Sequence, residues 1–409
     1  MGAPRAPHRS LDEDSGESFE LGTWQRDSVP FIERSRSSSA RDVAPASGSA
    51  AGAPDDPLRV AQGRGPAEPQ PIDSILVANS RIEVWSDGVH SQLRARHGIH
   101  DKFLESLSMD RLMPKVSKSG ANLYLTEDDE YCIKGLHRVE HESLLSFAQA
   151  YAERRRRGSS LLATIYLHFR FATVGTVGMQ WASFIAMKNL TPRIGTWEAR
   201  YDLKACDDDK TLEVDGRKVV AVHRRFWRAD MWCRCAWTEL RWEYYRGKER
   251  ARTLRVKMAE TQHRELIRML RADVDLLVSH GLMDYSLVLG IQRFPSTFAG
   301  STPPAPEPGR INPVRQFSAL DESGAVQVVT MGIIDFLQTW TLKKRVASYC
   351  KVLERDKATV DPRRYGRRFL AHFEQLFVPS SVFVALPLPH SAAETSPPIE
   401  SAKPVSDAA

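Results

Sequence analysis

Apolar positions divide this chain into elements. Ile165-Tyr166-Leu167-His168-Phe169-Arg170-Phe171 alternates, which predicts a half-buried antiparallel strand with His168 on its more polar face. A second strand is expected from about Met179 to Met187, through Trp181, Phe184 and Ile185. Residues 122–126 and 130–134 flank the acidic turn Glu127-Asp128-Asp129, a β-hairpin pattern. Helical spacing recurs three times. Leu144, Leu145, Ala148 and Tyr151 share one face; Leu266, Leu270, Val274 and Leu277 share another; Tyr365, Phe369, Phe373 and Phe377 form a core stripe. The first of these helices ends in Arg154-Arg155-Arg156-Arg157-Gly158. Those cations either complement a helix C-terminus before a capping glycine or form a basic patch facing a membrane.

Elsewhere the pattern fails, and composition takes over. Residues 1–71 are rich in Ser, Ala, Pro, Arg and Asp without periodicity, so a disordered N-terminal segment is expected. Residues 72–385 are expected to form the folded domain, with a flexible Pro-, Ser- and Gly-rich insertion near 294–317, and 386–409 a disordered tail. Residues 205–250, dense in Arg and Trp, read as a solvated surface with Trp anchors.

Charge and cysteine usage narrow the partners. The net charge of +6 favours an anionic partner. Five cysteines with no CxxC pair argue against a disulfide framework or a zinc site, as in an intracellular protein. The first thirty residues lack the apolar stretch of a secretory signal, and Ala6 stands where a myristoylation motif needs Ser or Thr. Residues 161–187, the most apolar region, are interrupted by His168, Arg170 and Gln180 and do not read as a membrane span.

Two turns carry the most suggestive carboxylates. Asp284 lies between a helical pattern and Leu287-Val288-Leu289, a short apolar run of the kind buried on both faces. Asp335 follows Met331-Gly332-Ile333-Ile334, itself preceded by the strand-like Val326-Gln327-Val328-Val329. One carboxylate at the edge of each strand suits a general base and a Mg²⁺ ligand in phosphoryl transfer. An Asp that merely caps a turn is the commoner case. Ser119-Gly120 opens the hairpin in a small-residue loop whose N–H groups can cover phosphates, and Lys134 at the end of the next strand can reach phosphate oxygens. The helix that follows can bring a Glu back to Lys134. The basic residues 341–357, just after Asp335, look built to meet an anionic surface, although a basic loop is usually a solvated face.

In this order the pieces resemble the phosphatidylinositol phosphate kinase family across residues 82–378. The specific cores are Met283-Asp284-Tyr285-Ser286-Leu287 and Gly332-Ile333-Ile334-Asp335 with Leu337-Gln338. Ser119-Gly120, Ile133-Lys134, Glu142 with Leu144-Leu145, Tyr201-Asp202-Leu203-Lys204 and Val360-Asp361-Pro362 support them. The resemblance implies an α+β, two-lobed phosphatidylinositol phosphate kinase fold with antiparallel sheets and packed helices. It further implies that Ser119, Gly120 and Lys134 hold ATP, that Glu142 orients Lys134, that Asp284 is the catalytic carboxylate and that Asp335 binds Mg²⁺. By the same resemblance, Lys204 helps with phosphate charge, and Lys343, Lys344 and Arg345 belong to an activation loop that meets substrate and membrane.

The implied activity is transfer of the ATP γ-phosphate to the inositol ring of a phosphatidylinositol monophosphate, with the 4-phosphate preferred because that activity is the more widespread in the family. The implied setting is cytoplasmic, peripheral at the cytoplasmic face of membranes, with no nucleic-acid partner and with room for a homodimer. There are departures. The family usually continues Asp-Leu-Lys with Gly-Ser, where Ala205 and Cys206 stand here before three aspartates, and Lys188 occupies a position that is often Asn. The altered continuation makes a catalytically weak, membrane-binding scaffold the alternative.

Overall fold

The computed structural model describes residues 73–77, 80–99, 103–104, 106–107, 113–115, 123–175, 178–193, 196–222, 237–293, 313–341 and 360–386. Ser119, Gly120, Lys343, Lys344 and Arg345 lie outside the described residues. So do the N-terminal segment, residues 387–409 and 294–312. What is described is an α+β fold of two antiparallel-rich sheets joined through a shared core.

The smaller lobe is a seven-stranded sheet. Its strands are β1 (Asp73–Val77), β2 (Ser80–Val84), β3 (Met113–Lys115), β4 (Leu123–Leu125), β5 (Tyr131–Leu136), β6 (Ile165–Gly175) and β7 (Gly178–Lys188). They lie in the order β1-β2-β6-β7-β5-β4-β3. The expected hairpins β4–β5 and β6–β7 are both present. Helices α1 (Asp87–Arg96) and α2 (Arg138–Arg156) belong to this lobe.

The alternation in β6 misleads about exposure. His168 is fully buried rather than on a polar surface. Its Nε2 lies 2.9 Å from His141 Nδ1 of α2, and the Trp85 ring packs on both imidazoles. His90 of α1 is also buried, bonded to the Ile165 carbonyl at 3.1 Å. Helices therefore cover the face that the pattern assigned to solvent. Burial disfavours charge on two of them, with His90 lowered to about 4 and His168 held well below its ordinary range.

The arginine run at the end of α2 divides. Arg154 turns inward to an ion pair with the buried Asp273 at 2.7 Å, and Arg155 donates to the Ser160 carbonyl and to Thr164. Arg156 and Arg157 stay outside with Glu153. Neither sequence reading of the run anticipated its inward half.

The larger lobe is an eight-stranded sheet beside a two-stranded one. In chain order its strands are β8 (Ala199–Leu203), β9 (Lys210–Val214), β10 (Arg217–Lys218), β11 (Val256–Ala259) and β12 (Leu282–Met283). Then come β13 (Ser286–Arg293), β14 (Arg315–Leu320), β15 (Val326–Ile334), β16 (Gln338–Thr339) and β17 (Phe377–Ser380). The main sheet runs β10-β9-β8-β13-β15-β14-β11-β17, with β12 and β16 paired apart. β14 begins inside the stretch read as an insertion, and Phe317 is buried there. The hard-to-read residues 205–250 supply β9, β10 and helix α3 (Glu239–Thr253).

Helices α4 (Glu260–Ser279) and α5 (Pro362–Leu376) carry the apolar stripes seen in the sequence. Asp361 caps α5 by accepting from the Arg363 and Arg364 amides, and Pro362 occupies its first turn. Residues 161–163 tie the lobes together. Leu161 donates its amide to Asp273 at 2.6 Å, while its carbonyl accepts from Ile333 of β15 at 2.7 Å. Leu144, Phe147 and Tyr151 of α2 share one buried cluster with Leu270, Tyr285, Phe336 and Phe369 of the larger lobe.

Candidate active site

The antiparallel partnership between the two Asp-bearing segments is interrupted where the carboxylates sit. Met283 of β12 pairs with Gln338 of β16, and Ser286 of β13 pairs with Ile334 of β15. Between those pairs Asp284 and Tyr285 face Asp335, Phe336 and Leu337, so the two chains cannot stay in step. Both aspartates absorb the mismatch in the left-handed region, Asp284 at φ 65° and Asp335 at φ 58°. Asp tolerates that region better than most side chains do. The following aromatic of each turn is buried and locks it. Tyr285 packs on Tyr365 and Phe369 of α5, with ring centroids 4.8 and 4.9 Å away, and Phe336 stacks on Tyr151 of α2 at 5.9 Å.

Each carboxylate holds one lysine. Lys204, one residue beyond β8, donates to Asp284 Oδ1 at 2.6 Å and to the Asp284 carbonyl at 3.0 Å. Lys134 of β5 donates to Asp335 Oδ1 at 2.9 Å. Burial opposes the charge on both lysines, but their carboxylate partners more than offset it and hold both ammonium groups above the ordinary lysine range. Both cations thus stay charged beside carboxylates that solvent still reaches, Asp284 and Asp335 keeping 26% and 44% of their side-chain surface.

The acid that orients Lys134 is Glu140, not Glu142. Lys134 Nζ donates to Glu140 Oε1 at 3.0 Å, and Glu140 also accepts from the His137 amide at 3.0 Å and from Gln338 at 3.2 Å. Glu142 points to solvent and pairs with Arg138 one turn earlier at 2.8 Å. The reason is helical geometry. Glu140 is the third residue of α2, where a side chain folds back over the N-terminus toward β5. Two residues further on, the side chain is rotated by about 200°. The spacing His137-x-x-Glu140 was the available signal.

Lys204 is presented by a turn that sequence reading left in doubt. Ala205, where the resemblance leads one to expect glycine, adopts φ 58°. A methyl-bearing residue there is strained by about 1–2 kcal/mol. Asp209 accepts from the Lys204 amide at 2.5 Å and the Cys206 amide at 3.4 Å, and the Tyr365 hydroxyl, which donates to the Tyr285 carbonyl, lies 3.4 Å from the Lys204 carbonyl. Asp209 is buried, and burial pushes its carboxyl up to about 7 although both amides pull it down. Asp202, two residues before Lys204, is half-buried, which opposes its charge, but Lys210 at 2.5 Å brings its carboxyl below the ordinary range. Asp209 and Tyr365 are participants that sequence reading missed. One was hidden in an acidic run and the other in a core stripe.

The donor set fits Mg²⁺ and a polyphosphate. Among the described residues no group of three His, Cys, Asp or Glu side chains could cage a metal ion. A hard cation held by one or two carboxylates and completed by phosphate oxygens needs no such cage. Among the same residues no helix is long and apolar enough to cross a membrane.

The sequence profile of the family described as Phosphatidylinositol-4-phosphate 5-Kinase matches residues 105–307 and 304–376. The chain is 25% identical over 301 residues to phosphatidylinositol 4-phosphate 5-kinase 3 of Arabidopsis thaliana, covering 64% of this chain and 39% of that protein. It is 24% identical over 354 residues to phosphatidylinositol 5-phosphate 4-kinase type-2 gamma of Xenopus tropicalis, covering 74% of this chain and 77% of that one. The chain therefore spans well under half of the plant relative and most of the frog one.

Proposed function

Because the chain belongs to the phosphatidylinositol phosphate kinase family, we propose that it transfers the γ-phosphate of ATP to the inositol ring of a phosphatidylinositol monophosphate at a membrane surface. The observation that carries this reading is the pair of left-handed aspartates, each partly exposed and each holding its own lysine. In it Asp284 accepts the proton of the attacking ring hydroxyl, and Lys204, bonded to that carboxylate, keeps it aimed. Lys134, held by Glu140, supplies positive charge to the phosphates of ATP. Asp335 would hold Mg²⁺, which when bound neutralises charge on the transferring phosphate. Positioning and charge complementarity account for the chemistry, and no covalent intermediate is needed.

The choice between the 4-phosphate and the 5-phosphate favours the 4-phosphate, on the family's habit; the relatives' names include both specificities. The basic residues Lys343, Lys344 and Arg345 would meet the lipid surface, as their sequence position after Asp335 suggests. The scaffold alternative rests on the strained Ala205 turn alone.

Labelled phosphate from ATP–Mg²⁺ is offered to vesicles carrying one or the other monophosphate, with Asp284→Asn as control. Product from one lipid, absent in the variant, is expected. Vesicle binding without product from either lipid would leave the scaffold.

A further inference from the structure

We propose that Asp209 is a positioning residue for Lys204, its carboxylate clipping a strained turn that this chain builds without glycine. The inference rests on the kinase reading, since the lysine in question is the one that meets Asp284. Three independent observations carry it.

The first is where the carboxylate binds. Asp209 Oδ1 takes the Lys204 amide at 2.5 Å and the Cys206 amide at 3.4 Å, which flank Ala205 on either side. Ala205 is the one residue of this turn in the left-handed region, at φ 58°. The clip therefore spans the strain itself. Were it released, the peptide planes on both sides of Ala205 could relax toward right-handed values and swing the Lys204 side chain off Asp284.

The second is selectivity within the acidic run. Asp208 is exposed and Asp207 half-buried, whereas Asp209 is 6% exposed. A carboxylate taken from water is costly, and this one has no lysine or arginine within ion-pair distance of its oxygens among the described contacts. His372 Nε2 lies 3.7 Å from Oδ2, and burial keeps that imidazole neutral, lowering it to about 4. A solvated acid would be drawn outward; the two amides hold this one in.

The third is bracing from two helices. Lys248 of α3 donates to the Asp207 carbonyl at 2.5 Å and the Asp209 carbonyl at 3.4 Å, and the Tyr365 hydroxyl of α5, which bonds the Tyr285 carbonyl, lies 3.4 Å from the Lys204 carbonyl. The Asp209 amide closes the turn on the Cys206 carbonyl at 3.0 Å. The helices grip the carbonyls of the turn, and the carboxylate grips its amides. Neither set replaces the other.

The test compares the full chain with Asp209→Ala, Asp209→Asn, Asp208→Ala, Ala205→Gly and the double variant Asp209→Ala with Ala205→Gly. Two quantities are read: kcat and KM for ATP on vesicles carrying the monophosphate that the wild type labels, and amide hydrogen exchange in residues 203–207. Asp209→Ala is expected to lower kcat by about 10- to 100-fold, as misplacement of a reacting group does. Its KM for ATP should stay within about twofold, because Lys134 is untouched. Exchange at 203–207 should accelerate. Asp209→Asn keeps an acceptor oxygen and should restore most of kcat, and Asp208→Ala should match the wild type. Adding Ala205→Gly should recover kcat in the Asp209→Ala background by more than it changes the wild type, the signature of coupled sites.

Should Asp209→Ala not fold, Asp209→Ser, which cannot span both amides, takes its place. Unchanged exchange in Asp209→Ala overturns the clip, with or without activity. Accelerated exchange with wild-type kcat overturns the positioning role. A wild type that labels neither lipid overturns the kinase reading instead, and the exchange data then decide the clip by themselves.

Discussion

The turns at Asp284 and Asp335 share a backbone and differ in allegiance. Each aspartate is left-handed, each is followed by a buried aromatic, and each holds one lysine. Asp284 takes Lys204, from the end of the strand hydrogen-bonded to its own, and anchors through Tyr285 on α5. All of that is larger-lobe structure. Asp335 takes Lys134 from the smaller lobe and anchors through Phe336 on α2. One turn is thus assembled within a lobe and the other between lobes. The carboxylate of Asp284 can stay rigid while that of Asp335 depends on how the lobes meet.

The strongest way to break the comparison is to remove each charge. Asp284→Asn and Asp335→Asn should each lower phosphate incorporation by about 10²–10⁴-fold, the range for a positioned acid–base group. If Asp284→Asn stays within tenfold of the wild type, the base role is wrong.

Acid should separate the two turns by acting on one lobe. The neutral, buried His90 and His97 have folded values of about 4 and 3, below the ordinary 6.5. Their contribution is fully present above pH 6.5 and is lost as pH falls toward those values, because the unfolded chain takes up protons that the fold refuses. Between pH 7 and 5 each should cost on the order of 1–2 kcal/mol of stability. Both sit in α1 or just after it, so hydrogen exchange should rise first in the smaller lobe, with the Lys134–Asp335 pair failing before Lys204–Asp284. The larger lobe has the opposite sign. Asp209, raised to about 7 from an ordinary 3.8, disfavours the fold increasingly as pH rises across that interval, and Asp209→Asn should flatten that loss.

Glu140→Gln and Glu142→Gln sharpen the comparison on its interlobe side. The first should reduce kcat/KM for ATP by about tenfold or more, since it leaves Lys134 with one partner. The second should stay within about twofold, as loss of an exposed i,i+4 pair. Equal effects would return Glu142 to the site. The smallest effect expected is from Ala205→Gly. Relief of left-handed strain, partly offset by the freer unfolded chain, should raise stability by about 0.5 kcal/mol in urea unfolding.

The two acidic turns were visible as apolar strands bordered by an Asp, but a single such turn is commonplace, and it was the order of several motifs, with the family they resemble, that made them and the fold legible. Helix stripes in α4 and α5 were equally plain. The misreadings share a cause, which is that periodicity reports a face and not what covers it. His168 sits on the face that α1 and α2 bury, and Arg154 reaches Asp273 although the sequence shows only a basic run. Glu142 was taken for Glu140 because both precede the same apolar stripe, and only the N-terminal turn geometry separates them. Residues 205–250 stayed opaque for another reason. Their strands are two to five residues long, too short for a period to emerge, and the buried positions of α3 include Gly247 and Lys248.

The eight register pairs between β13 and β15 join segments that flank residues 294–312. Asp284, Lys134 and Lys204 lie on one side of that stretch and Asp335 on the other. A protease nick or a gene split there would divide these four residues between two polypeptides that the strand ladder can reunite. Such a split protein would make catalysis a reporter of fragment association, with each half silent by itself.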